Sequence, residues 1–288
     1  MSLAKRLHLP QLSRDAVEDA EFAKRELFAE PSSETPWVGL PANISPKQFV
    51  DQHFGRNARA KLQLAKGTTT LAFVYEPKTD QDAGGIVVAV DSRATSGSHI
   101  GSKSVMKILD ISDSMVATMA GGAADCQFWV RFLSKYCSLY ELREKTPISV
   151  AAASKYLANV LYGYRGMGLS IGSMVAGYDK FGPSIYLVSD DGTRVKGDLF
   201  SVGSGSLSAY GVLDSFYTRK MTDQEALDLA RKAIMHATFR DVGSGGFCNV
   251  CHITAEKKTK FDPIDVSDLY YEFMADTKRE YAVEPELE

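Results

Sequence analysis

Lys66-Gly67-Thr68-Thr69-Thr70 puts a threonine directly after a glycine, at the point where the chain changes character. Threonine's branched Cβ suits a strand, so one meaning of the run is the opening of a sheet. Chemistry enters if the bond after Gly67 is cut. Thr68 would then carry a hydroxyl and a free amine on one residue, a nucleophile with its own base. Such an amine, with an ordinary pKa of about 8, titrates close to neutrality. Asp91-Ser92-Arg93, Lys107 and Thr118-Met119-Ala120-Gly121-Gly122 hold the other groups this reaction needs. A lysine nearby would lower the pKa of the amine or hydroxyl, and an aspartate beside it would keep the lysine charged and fixed. Gly121-Gly122 opens a helical pattern, where unpaired backbone N–H groups make an oxyanion hole. Singly, Asp91 could end a strand and Lys107 could be solvated; spacing alone does not bring them together.

Other motifs carry less. Cys248-Asn249-Val250-Cys251-His252 has the C-x-x-C-H spacing of haem attachment. It lies in a strand-like run, where successive side chains alternate between faces, so the two cysteines point apart. The expectation is buried structural thiols, with no metal and no cofactor. The five histidines (His8, His53, His99, His236 and His252) stand in no nucleophile-elbow context, and G-x-S-x-G is absent. Gly203-Ser204-Gly205-Ser206 and Gly243-Ser244-Gly245-Gly246 lack the lysine and spacing of a phosphate loop. They are either tight turns or places where backbone approaches an active site closely.

The elements that must position these groups begin at Thr68. Strands are expected over 68–75 and 85–91, the second continuously apolar (Ile86-Val87-Val88-Ala89-Val90) as in a strand covered on both faces. A polar loop, 76–84, joins them. A strand pair follows at 104–110 and 115–119. Helices are expected over 122–144, with Phe128, Phe132, Tyr136 and Tyr140 spaced by four, and over 150–164. Strands come next at 169–178, 184–189 and 198–202, the last two joined by a hairpin turn at Asp190-Asp191-Gly192. Thr222 with Glu225 forms a capping box for a helix through Ala237. A core strand at 247–254, a short partner at 259–262 and a short helix at 269–274 complete the order. Helices grouped between blocks of mostly antiparallel strands imply an α+β fold of two sheets stacked between helix layers.

Residues 1–67 hold five of the ten prolines and one short charged helical stretch at 15–29, the composition of a leader or pro-segment or equally of a flexible tail. With 288 residues the rest is one domain, with a charged C-terminal extension from about 266. A formal charge of −3 gives no sign of a nucleic-acid binder, and no apolar run approaches a membrane span. The N-terminus lacks a signal-peptide core, so an intracellular chain with reduced cysteines is expected.

Three blocks carry a family resemblance: Gly67-Thr68-Thr69-Thr70-Leu71-Ala72-Phe73, Val90-Asp91-Ser92-Arg93-Ala94-Thr95, and Thr118-Met119-Ala120-Gly121-Gly122-Ala123-Ala124-Asp125-Cys126. They resemble the proteasome β-type subunits. The last block, with residues 163–173 and 201–206, resembles the chymotrypsin-like β5 class. The resemblance spans about 67 to 268.

It implies the four-layer αββα fold of N-terminal-nucleophile hydrolases. It also implies a threonine endopeptidase of the 20S core particle, cleaving unfolded polypeptides after bulky apolar residues. Thr68 would be the nucleophile, freed by autocatalytic loss of residues 1–67, with Asp91 and Lys107 the charged pair. Ser204, Asp241 and Ser244 would orient the threonine amine and its water, and Gly121 would be the oxyanion donor. Ala94, Thr95, Val105, Met119 and Ala123 would line the substrate cleft. A floor of alanine and methionine without fixed charge suits an aromatic or aliphatic side chain. Other α and β subunits, and assembly factors, would be partners in the cytoplasm and nucleus. An unprocessed structural ring subunit is the alternative, although Gly67, Thr68 and Lys107 are all present. The 76–84 loop is longer than the family pattern, and a hairpin end away from Thr68 is its implied place.

Overall fold

The computed structural model describes residues 67–96 and 99–281. The expected leader up to residue 66, with its helix at 15–29, lies outside the described residues.

Two sheets face each other. The first runs in the order β11 (Leu199–Gly203), β1 (Thr69–Pro77), β2 (Gly85–Val90), β13 (Phe247–Ile253), β14 (Lys258–Lys260). Short β12 (Lys220–Met221) adds to β1, and β15 (Ile264–Asp265) to β13. The second runs β10 (Arg194–Gly197), β9 (Gly182–Ser189), β8 (Ile171–Asp179), β6 (Met115–Thr118), β5 (Ile108–Ser112), with β7 (Ala120–Gly121) also on β8. All pairings but β1 with β12 are antiparallel. A separate hairpin pairs β3 (Ala94–Ser96) with β4 (His99–Ser102).

Alternation along the strands sorts residues into layers, because successive side chains point to opposite faces. Leu71, Phe73, Val87 and Ala89 pack with α3 (Ser206–Phe216) and α4 (Asp223–Arg240). Their neighbours Ala72, Ile86, Val88 and Val90 pack between the sheets against Val116, Met174 and Ile185. The far face of the second sheet, through Met115, Ala117 and Val175, packs with Trp129, Leu133 and Leu157 of α1 (Ala123–Glu144) and α2 (Val150–Gly163). The layers are helix, sheet, sheet, helix, as the sequence implied. The apolar run of β2 is indeed buried on both faces.

Local signals set the ends. Ser149 caps α2 by accepting from Ala152 N–H, and Thr222 with Glu225 forms the expected capping box on α4. Several expectations need correction. Asp190-Asp191-Gly192 turns β9 into β10, not into the strand at Leu199–Gly203, which belongs to the other sheet. β10 carries no apolar periodicity that would mark it: Arg194 is half-buried and Val195 and Lys196 are exposed. The 104–110 strand begins only at Ile108, the 76–84 loop only after Pro77, and the C-terminal helix is longer, α5 (Val266–Tyr281). The α3 helix and the β3–β4 hairpin were not anticipated at all.

No helix among the described residues is long and apolar enough to cross a membrane.

Candidate active site

β1 lies inside the first sheet, between β11 and β2, and its first residues deliver Thr68 to a crevice between strand ends. Thr69 pairs with Gly203 of β11. The approach is too close for any side chain, since a Cβ at Gly203 would lie 2.0 Å from the Thr68 carbonyl oxygen. Thr68 is buried, and its Oγ1 lies 2.5 Å from the carbonyl oxygen of Gly67.

Lys107, just before β5, reaches the same hydroxyl. Its Nζ donates to Thr68 Oγ1 at 2.8 Å and lies 3.4 Å from Gly67 O. It also meets Asp91 Oδ1 at 2.6 Å, with both side chains withdrawn from solvent. Asp91 follows β2 and accepts three further backbone N–H groups, from Thr69 (2.9 Å), Gly245 (2.9 Å) and Arg93 (3.2 Å). Burial acts on both charges toward neutrality: it lowers Lys107 and raises Asp91, while their mutual contact opposes both shifts.

On the other side of Thr68 stands a hydroxyl–carboxylate cluster. Thr68 N–H donates to Ser204 Oγ at 3.1 Å. Asp241 Oδ2 accepts from Ser204 Oγ (2.5 Å) and from Ser244 Oγ (2.6 Å). Ser244 Oγ in turn lies 2.8 Å from Thr69 Oγ1, which closes a ring of hydrogen bonds back to the residue beside the nucleophile. Asp241 is the C-cap of α4, and its Oδ1 holds Gly243 N–H at 3.1 Å. The Gly203 and Gly243 turns are thus close backbone approaches and not phosphate loops.

A cleft of about 260 Å³ opens beside the threonine, lined by Ala94, Thr95, Val105, Met119, Gly121 and Ala123 together with Thr68 and Lys107. All five residues expected to line a substrate cleft share it. Gly121 has φ 104°, and its neighbour Gly122 N–H is taken by Ser170 O at 2.7 Å. Gly121 sits opposite Ile171, one residue before that bond. Hydrogen-bonded and non-bonded pairs alternate in an antiparallel ladder, so the Gly121 N–H is directed away from β8. Of the two glycines, only Gly121 therefore keeps a donor for the cleft.

The two cysteines of the C-x-x-C-H run are buried on opposite faces of β13. Cys248 packs in the helix-facing core and Cys251 between the sheets. Burial pushes their thiols up to about 12 and about 11, so both are inert. His252 lies instead beside Tyr75 OH (2.8 Å) and Gly84 O (3.0 Å). No group of side chains among the described residues is arranged to hold a metal ion.

The structure gathers the residues named from the sequence around Thr68 and the cleft, and it adds Thr69 and Ser170, which the sequence did not mark. Thr69 reads as an ordinary strand threonine, and Ser170 falls within the expected 169–178 strand and the 163–173 block, neither of which singles it out.

The proteasome subunit family model matches residues 64–253, two thirds of the chain and all the segments that meet at Thr68. The chain belongs to the proteasome subunit family. Among its relatives, the proteasome subunit pbs-5 of Caenorhabditis elegans is 61% identical, over 92% of this chain and 93% of the relative. Proteasome subunit beta type-5 of Dictyostelium discoideum is 50% identical, over 83% and 86%. Proteasome subunit beta type-8 of Homo sapiens is 45% identical, over 84% and 86%. The chain is therefore a proteasome β-type subunit with the N-terminal-nucleophile fold. It is a threonine-type endopeptidase of the chymotrypsin-like kind, and it assembles with other proteasome subunits in the 20S particle.

Proposed function

We propose that this proteasome subunit is made as a precursor, that Thr68 removes residues 1–67, and that mature Thr68 then cleaves unfolded polypeptides after bulky apolar residues. The observation that carries the proposal is the contact of Thr68 Oγ1 with both the Gly67 carbonyl oxygen, at 2.5 Å, and Lys107 Nζ, at 2.8 Å. While Gly67 is attached, the Thr68 nitrogen is an amide and cannot act as a base. Lys107 is then the titratable group touching the hydroxyl. In its neutral form it takes the Oγ proton as Oγ attacks the Gly67 carbonyl carbon. The C–N bond breaks, the proton passes to the departing Thr68 nitrogen, and an ester joins Gly67 to Oγ. That leaves the Thr68 amine free, and water then hydrolyses the ester, restoring the Thr68 hydroxyl and releasing the leader with a Gly67 carboxylate.

In the mature enzyme that amine becomes the base, with Ser204, Asp241 and Ser244 orienting it. Oγ attacks the substrate carbonyl, Gly121 N–H stabilises the oxyanion, the leaving amine takes the proton, and water releases the acyl group. Lys107, paired with Asp91, holds positive charge beside the oxygen. Met119, Ala94 and Val105 offer apolar contact to the residue before the cut, and Thr95 and Ala123 stand where peptide backbone would lie. Assembly factors are proposed partners, and cytoplasm and nucleus the proposed compartments.

N-terminal sequencing of the mature subunit tests the first step: Thr68 should be residue one. Thr68→Ala should leave the subunit assembled but without cleavage after bulky apolar residues. A mature chain that keeps its leader, or cleavage surviving in Thr68→Ala, would sink the proposal.

A further inference from the structure

The ladder beneath Gly121 is completed by a side chain that has no place in the chemistry above. β7 pairs with β8 through Ala120 opposite Gly172 and Gly121 opposite Ile171, so Gly122 and Ser170 form the next pair. Gly122 N–H does reach Ser170 O, at 2.7 Å. A regular antiparallel ladder would return a bond from Ser170 N–H to Gly122 O. That carbonyl is already engaged by the helix, accepting from Cys126 N–H at 2.9 Å. Ser170 N–H turns instead to Asp125 Oδ2, at 3.2 Å. The carboxylate of the first turn of α1 thus supplies the bond that the strand loses where the chain leaves for the helix.

A second side chain of the same turn acts on the other flank of Gly121. Cys126 Sγ donates to Ala120 O at 3.3 Å. Burial pushes this thiol up to about 12, so its proton is in place at neutral pH. Gly121 itself has no slack toward β8, because a Cβ there would lie 2.4 Å from Ser170 O. Ala120 before it and Ser170 beneath it are therefore both tied to one turn of helix. Asp125 is half-buried and does not line the cleft, whereas its neighbours Ala123 and Ala124 do.

We propose that Asp125 is a positioning residue for the oxyanion donor: by holding Ser170 N–H it fixes the strand edge that aims the Gly121 N–H at the reacting carbonyl, with Cys126 as the second tie. The inference rests on the proposed roles of Thr68 and Gly121.

The test uses assembled particles whose N-terminus at Thr68 has been verified. Substrate hydrolysis is measured beside binding of two peptides, an aldehyde that adds to Thr68 Oγ as a tetrahedral hemiacetal and the matching alcohol that cannot. Loss of a whole oxyanion donor costs roughly 10²–10³ in rate. Asp125→Ala only loosens the donor, so kcat should fall about tenfold with KM within about twofold. The aldehyde should weaken by a similar factor and the alcohol should not. Asp125→Asn keeps an acceptor oxygen and should stay within about threefold of wild type.

Unchanged kcat in Asp125→Ala, an equal loss in Asp125→Asn, or parallel weakening of aldehyde and alcohol would each overturn the proposal. Asp125→Ser, suited to a helix start but too short to reach Ser170, replaces Asp125→Ala if that variant does not assemble. If neither assembles while Asp125→Asn does, the bond is structural and the positioning role is wrong. Failure of the underlying reading is distinguishable, because the wild type itself would then form no aldehyde adduct on Thr68.

Discussion

Lys107 Nζ lies 2.6 Å from Asp91 Oδ1 and 2.8 Å from Thr68 Oγ1, so one ammonium joins the buried carboxylate to the nucleophile. Removing one partner of such a pair leaves an uncompensated charge in the interior, at a cost of about 3–5 kcal/mol. Lys107→Met should therefore abolish self-cleavage and also lower the unfolding temperature of the precursor. Asp91→Asn should also lower it, since Lys107 loses its anionic partner and the amide NH2 must face donors, either Lys107 and Thr69 N–H or Gly245 and Arg93 N–H. Intact mass and thermal unfolding of the purified precursor check both. A processed Lys107→Met subunit would contradict the role given to the lysine.

The pH dependence of self-cleavage follows from the lowered Lys107. Burial disfavours its ammonium, so neutral amine accumulates at lower pH than for a free lysine, whose pKa is about 10.4. The rate of precursor processing should rise with pH and level off below that value. A pH-jump series read by gel or mass measures it. A flat profile, or a midpoint at or above the free-lysine value, counts against neutral Lys107 as the base.

Gly67 is required for space. A Cβ there would lie 2.5 Å from Gly243 O and 2.6 Å from Thr95 Oγ1, and backbone cannot yield as a flexible side chain does. Gly67→Ala should push the scissile carbonyl away from Thr68 Oγ1. Displacement on the order of 1 Å costs roughly 10²-fold in rate. The same Gly67→Ala chain supplied with Thr68 already exposed by an engineered protease site should be fully active. Normal processing of Gly67→Ala would show that the crowding is relieved at no cost.

The long loop after Pro77 is fastened to the start of α4. Asp223 accepts from Ala83 N–H (3.0 Å), Gly84 N–H (3.1 Å) and Tyr75 OH (2.6 Å), and Asp223 N–H donates to Asp82 Oδ1 at 3.0 Å. Burial raises Asp223, but these donors outweigh it and hold the carboxyl below its ordinary value. A carboxylate with a depressed folded pKa stabilises above its unfolded pKa, and that stability is lost as pH falls through the folded value. Asp223→Ala should cost about 1–3 kcal/mol at neutral pH, with the difference from wild type vanishing in acid. The loop lies at the far end of nine-residue β1, roughly 30 Å from Thr68 at 3.3 Å per residue, so kcat should not change. An unaltered melting temperature would remove the loop's anchoring role.

Periodicity made much of the scaffold legible. The five apolar residues of β2, the Thr222–Glu225 capping box and the opposed faces of Cys248 and Cys251 all followed from local rules. Two elements stayed hidden: β10 is a short edge strand without an apolar period, and α3, although its buried Ala209, Val212 and Leu213 recur at helical spacing, starts in a glycine-serine turn that reads as a loop. The Asp190-Asp191-Gly192 turn was legible as a turn, yet its second strand was misassigned, because a turn does not say which sheet the next strand joins.

By itself the sequence determined that Thr68 opens a strand right after a residue with no side chain, that the domain has two sheets between helices, and, through the resemblance of its motif blocks, which residue types would serve the threonine. Only the tertiary structure decided that they meet. Asp91, Lys107, Ser204, Asp241 and Ser244 come from segments up to 175 residues from the first threonines, and hydrogen bonds of about 3 Å link them. It also decided that Lys107 is buried, which no local pattern can state, because a lysine's solvent is set by the strands that close over it. Asp125 is the same lesson at shorter range: it reads as a helix-start acid, and becomes a tie on Ser170 only where β7 gives up its ladder to α1.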